Sequence, residues 1–429
     1  MTAGDAPVPP ALAALFPPAR RDALVVLRRD LHQHPELSFA ETRTAAVLER
    51  ALAALHPVAL ARVAGTGVVA RIRGRDPAAP VVAVRGDIDA LPIQEATGLS
   101  YASVHAGVMH ACGHDVHAAW AVGAAHLLAE RPAAGDVLIV LQPAEETGTG
   151  AAAMLAAGAL DGVSAIFGAH VDRRFAVGEV VAQAGPLAAA ADTFEIALVG
   201  RGAHGARPHE SADPVVGAAA LVGALQTIVA RRVNPATPAV VTVATLHAGT
   251  APNVIPDRAT LGGTLRAVDP ETRHLLAAEL QRVTDGVAAA HGLAASVTLA
   301  LGPPPIVNPE RPAAWARRAA EAVLGAGAVV PLGTTNMGGE DFAYYMQRIP
   351  GCFVRIGARE PGGAPIPAHT PHFHAAESSL FVGAAVLAET ARVASAALAG
   401  GDAGLGGWTA SAHDLAHDLA HDGAHDARA

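Results

Sequence analysis

The sequence predicts an α/β fold in two domains: a sheet domain covered by helices on both faces, and a smaller α+β domain inserted into it. Three observations lead there. Between residues 68 and 170, short β-branched runs alternate with helical stretches, the pattern of an α/β sheet. After Gly185-Pro186 the texture changes, and strands and long helices follow in a different rhythm as far as the proline cluster Pro303-Pro304-Pro305. A chain of 429 residues also exceeds one ordinary core. The boundaries drawn are 1–20 for a loose lead-in, 21–188 and 305–399 for the two parts of the sheet domain, 189–304 for the insert, and 400–429 for a low-complexity tail.

Each element has its own signal. Leu24, Val25, Leu27 and Leu31 form a helical stripe over 21–31 that His34-Pro35 closes, and helical periodicity resumes over 41–55. Residues 68–72 and 81–84 are β-branched runs that read as buried strands, the second leading into Arg85-Gly86-Asp87-Ile88-Asp89. A helix is expected over 118–130, a strand over 136–141, a helix over 154–159, and a strand over 165–168 that ends at His170. In such sheets chemistry gathers at the carboxyl ends of strands, where Asp87, Asp89, Glu145, Glu146 and His170 all fall. The insert reads as strands at 193–199, 239–245 and 259–266 with helices at 213–231 and 270–290. A helix at 312–324, a strand at 352–356 and a closing helix at 379–398 should rejoin the first sheet.

Composition excludes several classes. The net charge is −9, the chain has no lysine, and no basic stripe marks a nucleic-acid partner. Cys112 and Cys352 are too few for a disulfide scaffold, so a reducing compartment is the default. Met1 to Ala14 lacks a basic region followed by an apolar one, and no uninterrupted apolar run of 18 residues occurs. No signal peptide, transmembrane span or membrane partner is therefore expected, and a soluble cytoplasmic protein is. In the tail, His413, His417, His421 and His425 recur every four residues; with almost nothing to bury, a solvated tail is favoured over a metal-capturing helix.

The chemistry concentrates in Met109-His110-Ala111-Cys112-Gly113-His114-Asp115-Val116-His117. A single glycine separates Cys112 from His114, so a turning backbone lets thiol and imidazole converge. A borderline-soft divalent cation accepts thiolate, imidazole and carboxylate together. Glu145-Glu146, His170 and His369 are the candidates for the rest of such a site. A rival reading makes Cys112 a thiolate nucleophile with His114 as its base, but leaves the downstream set unexplained.

Nine motifs in order complete the reading. They are LHQHPELSFAET (31–42), RGDIDALP (85–92), YASVHAGVMHACGHDVH (101–117), LQPAEETGTGA (141–151), GAHVD (168–172), GRGAHGARPHESADP (200–214), NVIPDRATLGGTLR (253–266), GGEDFAYY (338–345) and HTPHFH (369–374). Over roughly residues 22–396 the chain resembles the M20 metallopeptidase family, in its amidohydrolase branch with the hippurate and auxin-conjugate hydrolases. Asp87, standing where the broader family has His, goes with the Cys-Gly-His set of that branch.

The resemblance implies metal ligands at Cys112, His114, Glu146, His170 and His369, the last preferred over His372 and His374. It implies Glu145 as general base and Asp89 in the catalytic set, with Asp115, Asp87 and Asp89 bridging metals or supporting ligands. His204 would reach a partner subunit's site and meet the oxyanion, while Asn253 and Arg266 would hold the substrate's α-carboxylate. His32, His34 and Glu36 would be structural, and Glu340, Asp341, Tyr344 and Tyr345 would shape the pocket. The implied protein is a homodimer joined through the insert, using one or two divalent ions (Zn, Mn, Co or Ni). It would cleave small-molecule N-acyl or N-aroyl amino acids to a carboxylate and a free amino acid. A dipeptidase or aminoacylase of the same fold is the alternative.

Overall fold

The computed structural model of the chain describes residues 7–401. The repeated His-Asp tail lies outside the described residues. The lead-in is not loose: Pro10–Leu15 forms a 3₁₀ turn that buries Leu12 and Phe16, and the Phe16 ring lies 5.1 Å from Phe381. Two anchoring side chains are too few to register as periodicity.

From there the chain builds α1 (Pro18–Gln33), α2 (Thr42–Ala53), β1 (Ala59–Val63), β2 (Gly67–Ile72) and β3 (Val81–Asp87). Next come α3 (His114–Glu130), β4 (Val137–Gln142), α4 (Gly150–Ala156), β5 (Val163–Ala176) and β6 (Val180–Val181). The insert follows as β7 (Asp192–Val199), α5 (Pro214–Arg232), β8 (Ala239–Ala248), β9 (Arg258–Ala267), α6 (Pro270–Ala290) and β10 (Ala294–Ala300). The chain then returns through α7 (Glu310–Leu324), α8 (Phe342–Arg348), β11 (Gly351–Arg359) and α9 (Ser378–Ala399).

Seven strands form the main sheet in the order β1-β2-β4-β3-β5-β11-β6. Its centre, β4-β3-β5-β11, is parallel, and β2, β1 and β6 flank it antiparallel. β4 and β5 leave β3 on opposite sides, which opens a crevice at the carboxyl ends of these strands. Burial on both faces explains why β3, β4 and β11 read as continuous apolar runs.

One face is covered by α1, α3, α7 and α9, the other by α4 and α8. Small residues let α3 and α9 cross closely: a Cβ on Gly383 would run into the Trp120 ring, itself fully buried. Truncating Trp120 to Ala should cost about 3–5 kcal/mol, because a site closed by helix backbones cannot collapse. By length and apolarity α9 matches a membrane span, yet it is packed at the centre of this core.

The insert has its own antiparallel sheet, β8-β9-β7-β10, with α5 and α6 packed on one face around a core drawn from residues 194–293. Asp213 and Asp269 cap α5 and α6 through backbone N–H groups. Arg273 forks onto buried Asp192 at the entry to the insert. The entering and leaving segments meet where Ala191 N donates to Pro303 O at 3.1 Å.

Candidate metal centre

Gly113 sets the geometry of the cluster. Its φ of +99° at the N-terminus of α3 turns the chain so that Cys112 and His114 face one point. There is no room for a side chain, since a Cβ would lie 2.5 Å from Val171 Cγ2. His170 was expected at the end of its strand, but β5 runs on to Ala176 to pair with β11. Because β5 outruns β3, whose pairing with it ends at Arg85↔Gly168, His170 still reaches the carboxyl edge of the sheet.

Cys112 Sγ lies 3.2 Å from His170 Nε2. The Nδ1–H of His170 donates to Val171 O at 2.7 Å, and that of His114 to Asp89 O at 2.9 Å. When neutral, each imidazole therefore turns an Nε2 lone pair to the cluster, and a metal there would displace the second proton that His114 holds. His114 Nε2 is buried with no hydrogen-bond partner, 3.8 Å from both Glu145 Oε2 and Glu146 Oε1. Glu146 Oε1 is also buried without a partner, while its Oε2 lies 3.3 Å from His369 Nε2. Ligand atoms of Cys112, His114 and His170 lie close enough to hold one ion, as do those of Cys112, Glu146 and His369. Two orphaned buried acceptors facing each other within a thiol, imidazole and carboxylate set fit a borderline divalent cation.

His372 and His374 are committed elsewhere, to Ala96 O at 2.8 Å and to Glu360 at 3.5 Å, leaving His369 at the cluster. His369 (φ +63°) and Ala144 (φ +53°, beside Glu145) both hold left-handed backbone, a strain that gathers at working sites.

The surrounding carboxylates have different tasks. Asp89 was placed among the catalytic residues. Its carboxylate accepts from Ser38 Oγ and from the backbone N–H groups of Glu145 and Glu146, and lies 3.2 Å from His114 Nδ1. Asp115 does not bridge the cluster, because its Oδ2 turns to Arg28 Nε at 2.7 Å and His32 Nδ1 at 2.8 Å. Asp87 holds His117 at 2.6 Å, and His117 Nε2 accepts from Val171 N, so His117 is a satisfied core histidine. Glu36 takes the N–H groups of Arg43 and Thr44, consistent with a structural role for that stretch.

Behind Glu145 lies a buried ionic knot. Arg85 donates to Asp87, to Glu340 at 3.0 Å, to Asp341 at 3.1 Å and to Gln142 at 2.9 Å. Burial pushes Asp341 up to about 8, against the pull of Arg85. Burial, then the charges of Glu340, Asp341 and Glu146, raise Glu145 well above the usual carboxyl range. Burial works against charge on His114 too, but Asp87, Asp89 and Cys112 outweigh it and raise its pKa. His170 goes the other way, lowered by burial and then by His117 and Arg355. Burial pushes the Cys112 thiol up to about 12, which disfavours a free thiolate nucleophile at neutral pH.

Sequence reasoning missed Glu41, which resembled an ordinary acid at a helix start. It is fully buried and accepts from Ala144 N at 2.9 Å and Thr66 Oγ1 at 2.6 Å, fixing the turn that presents Glu145.

The cluster opens into a cavity of 940 Å³ lined by Cys112, Glu145, Glu146, His170 and His369 on one side and by Arg266 of β9 on the other. His204 and Asn253 do not line it. They lie together on the surface of the insert, where Ala203–His204 pairs with Val254–Ile255 and Gly205 N donates to Asn253 O.

A family model described as peptidase family M20/M25/M40 matches residues 83–393. The chain is 44% identical over 340 residues to N-acetyl-L-cysteine deacetylase of Bacillus subtilis (strain 168), covering 78% of this chain and 80% of that protein. It is 39% identical over 381 residues to the IAA-amino acid hydrolase ILR1-like 2 of Arabidopsis thaliana, covering 86% and 84%. Among solved structures, the Bacillus subtilis YXEP protein, titled a dinuclear metal binding peptidase from the M20 family, superposes with a TM-score of 0.77 at 39% identity, covering 87% and 97% of the two chains.

Proposed function

The chain belongs to peptidase family M20/M25/M40, and from that premise we propose a metal-dependent amidohydrolase that splits N-acyl or N-aroyl amino acids into a carboxylate and a free amino acid. The observation that carries the reading is the pair of orphaned buried acceptors, His114 Nε2 and Glu146 Oε1, enclosed with Cys112, His170 and His369 beside Glu145. Those five ligand-type residues would hold the metal, for which zinc, manganese, cobalt and nickel are the candidates. When bound, a divalent cation supplies Lewis acidity, polarising the amide carbonyl and acidifying a water at neutral pH.

The remaining work belongs to side chains. Glu145 takes the proton of the attacking water and returns it to the departing amine. Asp89 aims His114 and both glutamates. Arg266 pairs with the substrate's α-carboxylate through its fork.

His204 and Asn253 complete the site of a partner subunit, His204 donating to the oxyanion. Their exposed position outside the cavity of their own chain supports that assignment. The insert, residues 189–304, is in this reading the lid and the dimerisation surface. Exposed apolar side chains there, Val215 and Val216 on α5 and Leu246 on the edge strand β8, support it.

The test is hydrolysis of N-acetylcysteine, hippurate and an N-acetyl-amino-acid panel, as isolated, after chelation, and with Zn²⁺, Mn²⁺ or Co²⁺ restored. Loss on chelation with recovery on metal supports the reading. Activity that survives thorough chelation overturns it and returns Cys112 to the nucleophile's role.

A further inference from the structure

Arg355 is a buried cation that no acid pairs with directly among the described residues. It lies on β11 in register with His170, is 5% exposed, and lines the same cavity. Among the described residues its guanidinium makes no hydrogen bond or ion pair, and its Nε is fully buried. Its neighbour on the strand face is the Phe353 ring, 5.6 Å from Cζ.

The acids around it are already engaged. Asp172 is held by Arg174 Nη2 at 2.7 Å, and Glu340 by Arg85. Two other cavity arginines differ. Arg173 is tied to Glu360 and to the carbonyls of Ala364 and His374, and Arg174 to Asp172. Arg266, like Arg355, has no acceptor among the described residues. The cavity thus holds two unspent guanidiniums, one from the insert and one from the main sheet.

With Nε buried and the rest of the guanidinium facing the cavity, the charge there has no anion beside it, and its planar fork matches a carboxylate. The α-carboxylate assigned to Arg266 uses only one of the two. We infer that Arg355 receives a second carboxylate of the substrate, so that the preferred substrates are dianionic: N-acyl amino acids whose acyl chain or side chain ends in a carboxylate. This rests on the amidohydrolase reading above and narrows its substrate class.

The test compares kcat/KM of the metal-loaded wild-type enzyme on matched pairs. N-succinylalanine against N-butyrylalanine examines an acidic acyl group; N-acetylglutamate against N-acetylglutamine examines an acidic side chain. At least one dianionic member should lead its neutral partner by about 10- to 100-fold, the worth of a charged hydrogen-bonded contact. Whichever pair shows the lead identifies the source of the second carboxylate. Arg355→Met should erase that lead, bringing the two members of the pair within about threefold of each other, and hold or raise Tm, because it removes an unpaired buried charge.

A second readout needs no turnover. Succinate or glutarate should bind wild-type protein without added metal, by calorimetry, and bind Arg355→Met at least tenfold more weakly. Should the variant misfold, the wild-type pairs and the wild-type binding isotherm still decide. No dianionic lead in either pair, or equal loss of every substrate in Arg355→Met, overturns the inference. Failure to hydrolyse even the neutral amides defeats the amidohydrolase reading instead, and the dicarboxylate titration then judges Arg355 alone.

Discussion

Replacing Asp89 by asparagine separates aiming from chemistry at this site. Oδ1 faces Glu145 N at 3.1 Å and His114 Nδ1 at 3.2 Å; Oδ2 faces Ser38 Oγ at 2.7 Å and Glu146 N at 3.0 Å. An amide keeps one acceptor oxygen. Placed at Oδ1, it turns an NH₂ group toward Ser38, whose hydroxyl can reverse, and toward Glu146 N–H, which cannot. The opposite flip abandons Glu145 N–H and one contact of His114. Either way a buried N–H is left unmet, at about 1–3 kcal/mol. The surviving bonds also lose the charge that roughly doubles their strength. Asp89→Asn should therefore lose about 2–4 kcal/mol of stability by urea denaturation. Because His114 and Glu146 both depend on this carboxylate, zinc affinity should fall about 10- to 100-fold in competition with a chromophoric chelator. Excess metal should then recover much of the activity. A variant that binds zinc as tightly as wild type and is equally stable in urea would refute the positioning role.

Other outcomes follow from single contacts. Glu145→Gln should lower kcat about 10²- to 10⁴-fold while zinc binding, measured by the same competition, stays within a few-fold. Gly113→Ala forces a side chain into left-handed backbone and against Val171, and should cost about 2–4 kcal/mol in urea. Glu360 is held down to about 2: burial opposes its charge, but His374 and Arg173 outweigh that. Its contribution is thus fully present above the ordinary carboxyl range near 4.5 and is lost as pH falls toward 2. Being 41% exposed it is worth at most about 1 kcal/mol, and the Tm gap between wild type and Glu360→Gln should close over that window.

Much of the main sheet was legible because it is buried on both faces. β3 and β4 announce themselves as short apolar runs followed closely by acids, and α3 as an apolar stretch preceded by Cys112 and His114, so the metal candidates stand at the ends of these elements. The insert was less legible. β10, Ala294–Ala300, is an edge strand with one open face, and its alanine, serine and threonine give weak alternation, so it went unread. The knot at Arg85 was invisible for another reason: its partners Glu340 and Asp341 lie in a distant segment, and one sequence carries no signal for a contact made only after folding. Asp89 and Asp115 look alike as acids beside metal candidates. Only the direction each carboxylate faces separates the one that aims the cluster from the one locked to Arg28.

The strand order has a consequence for synthesis. β11 fills an interior slot between β5 and β6, and it is made only after the whole insert has left the ribosome. Until Arg359 emerges, β5 presents a long unpaired edge, and His369 is still to come. The nascent sheet must wait with that edge open to neighbouring chains. Metal capture by the proposed ligand set, which includes His369, would therefore come late in synthesis. A ribosome stalled within α7 should release an aggregation-prone, metal-free fragment rather than a partly active enzyme.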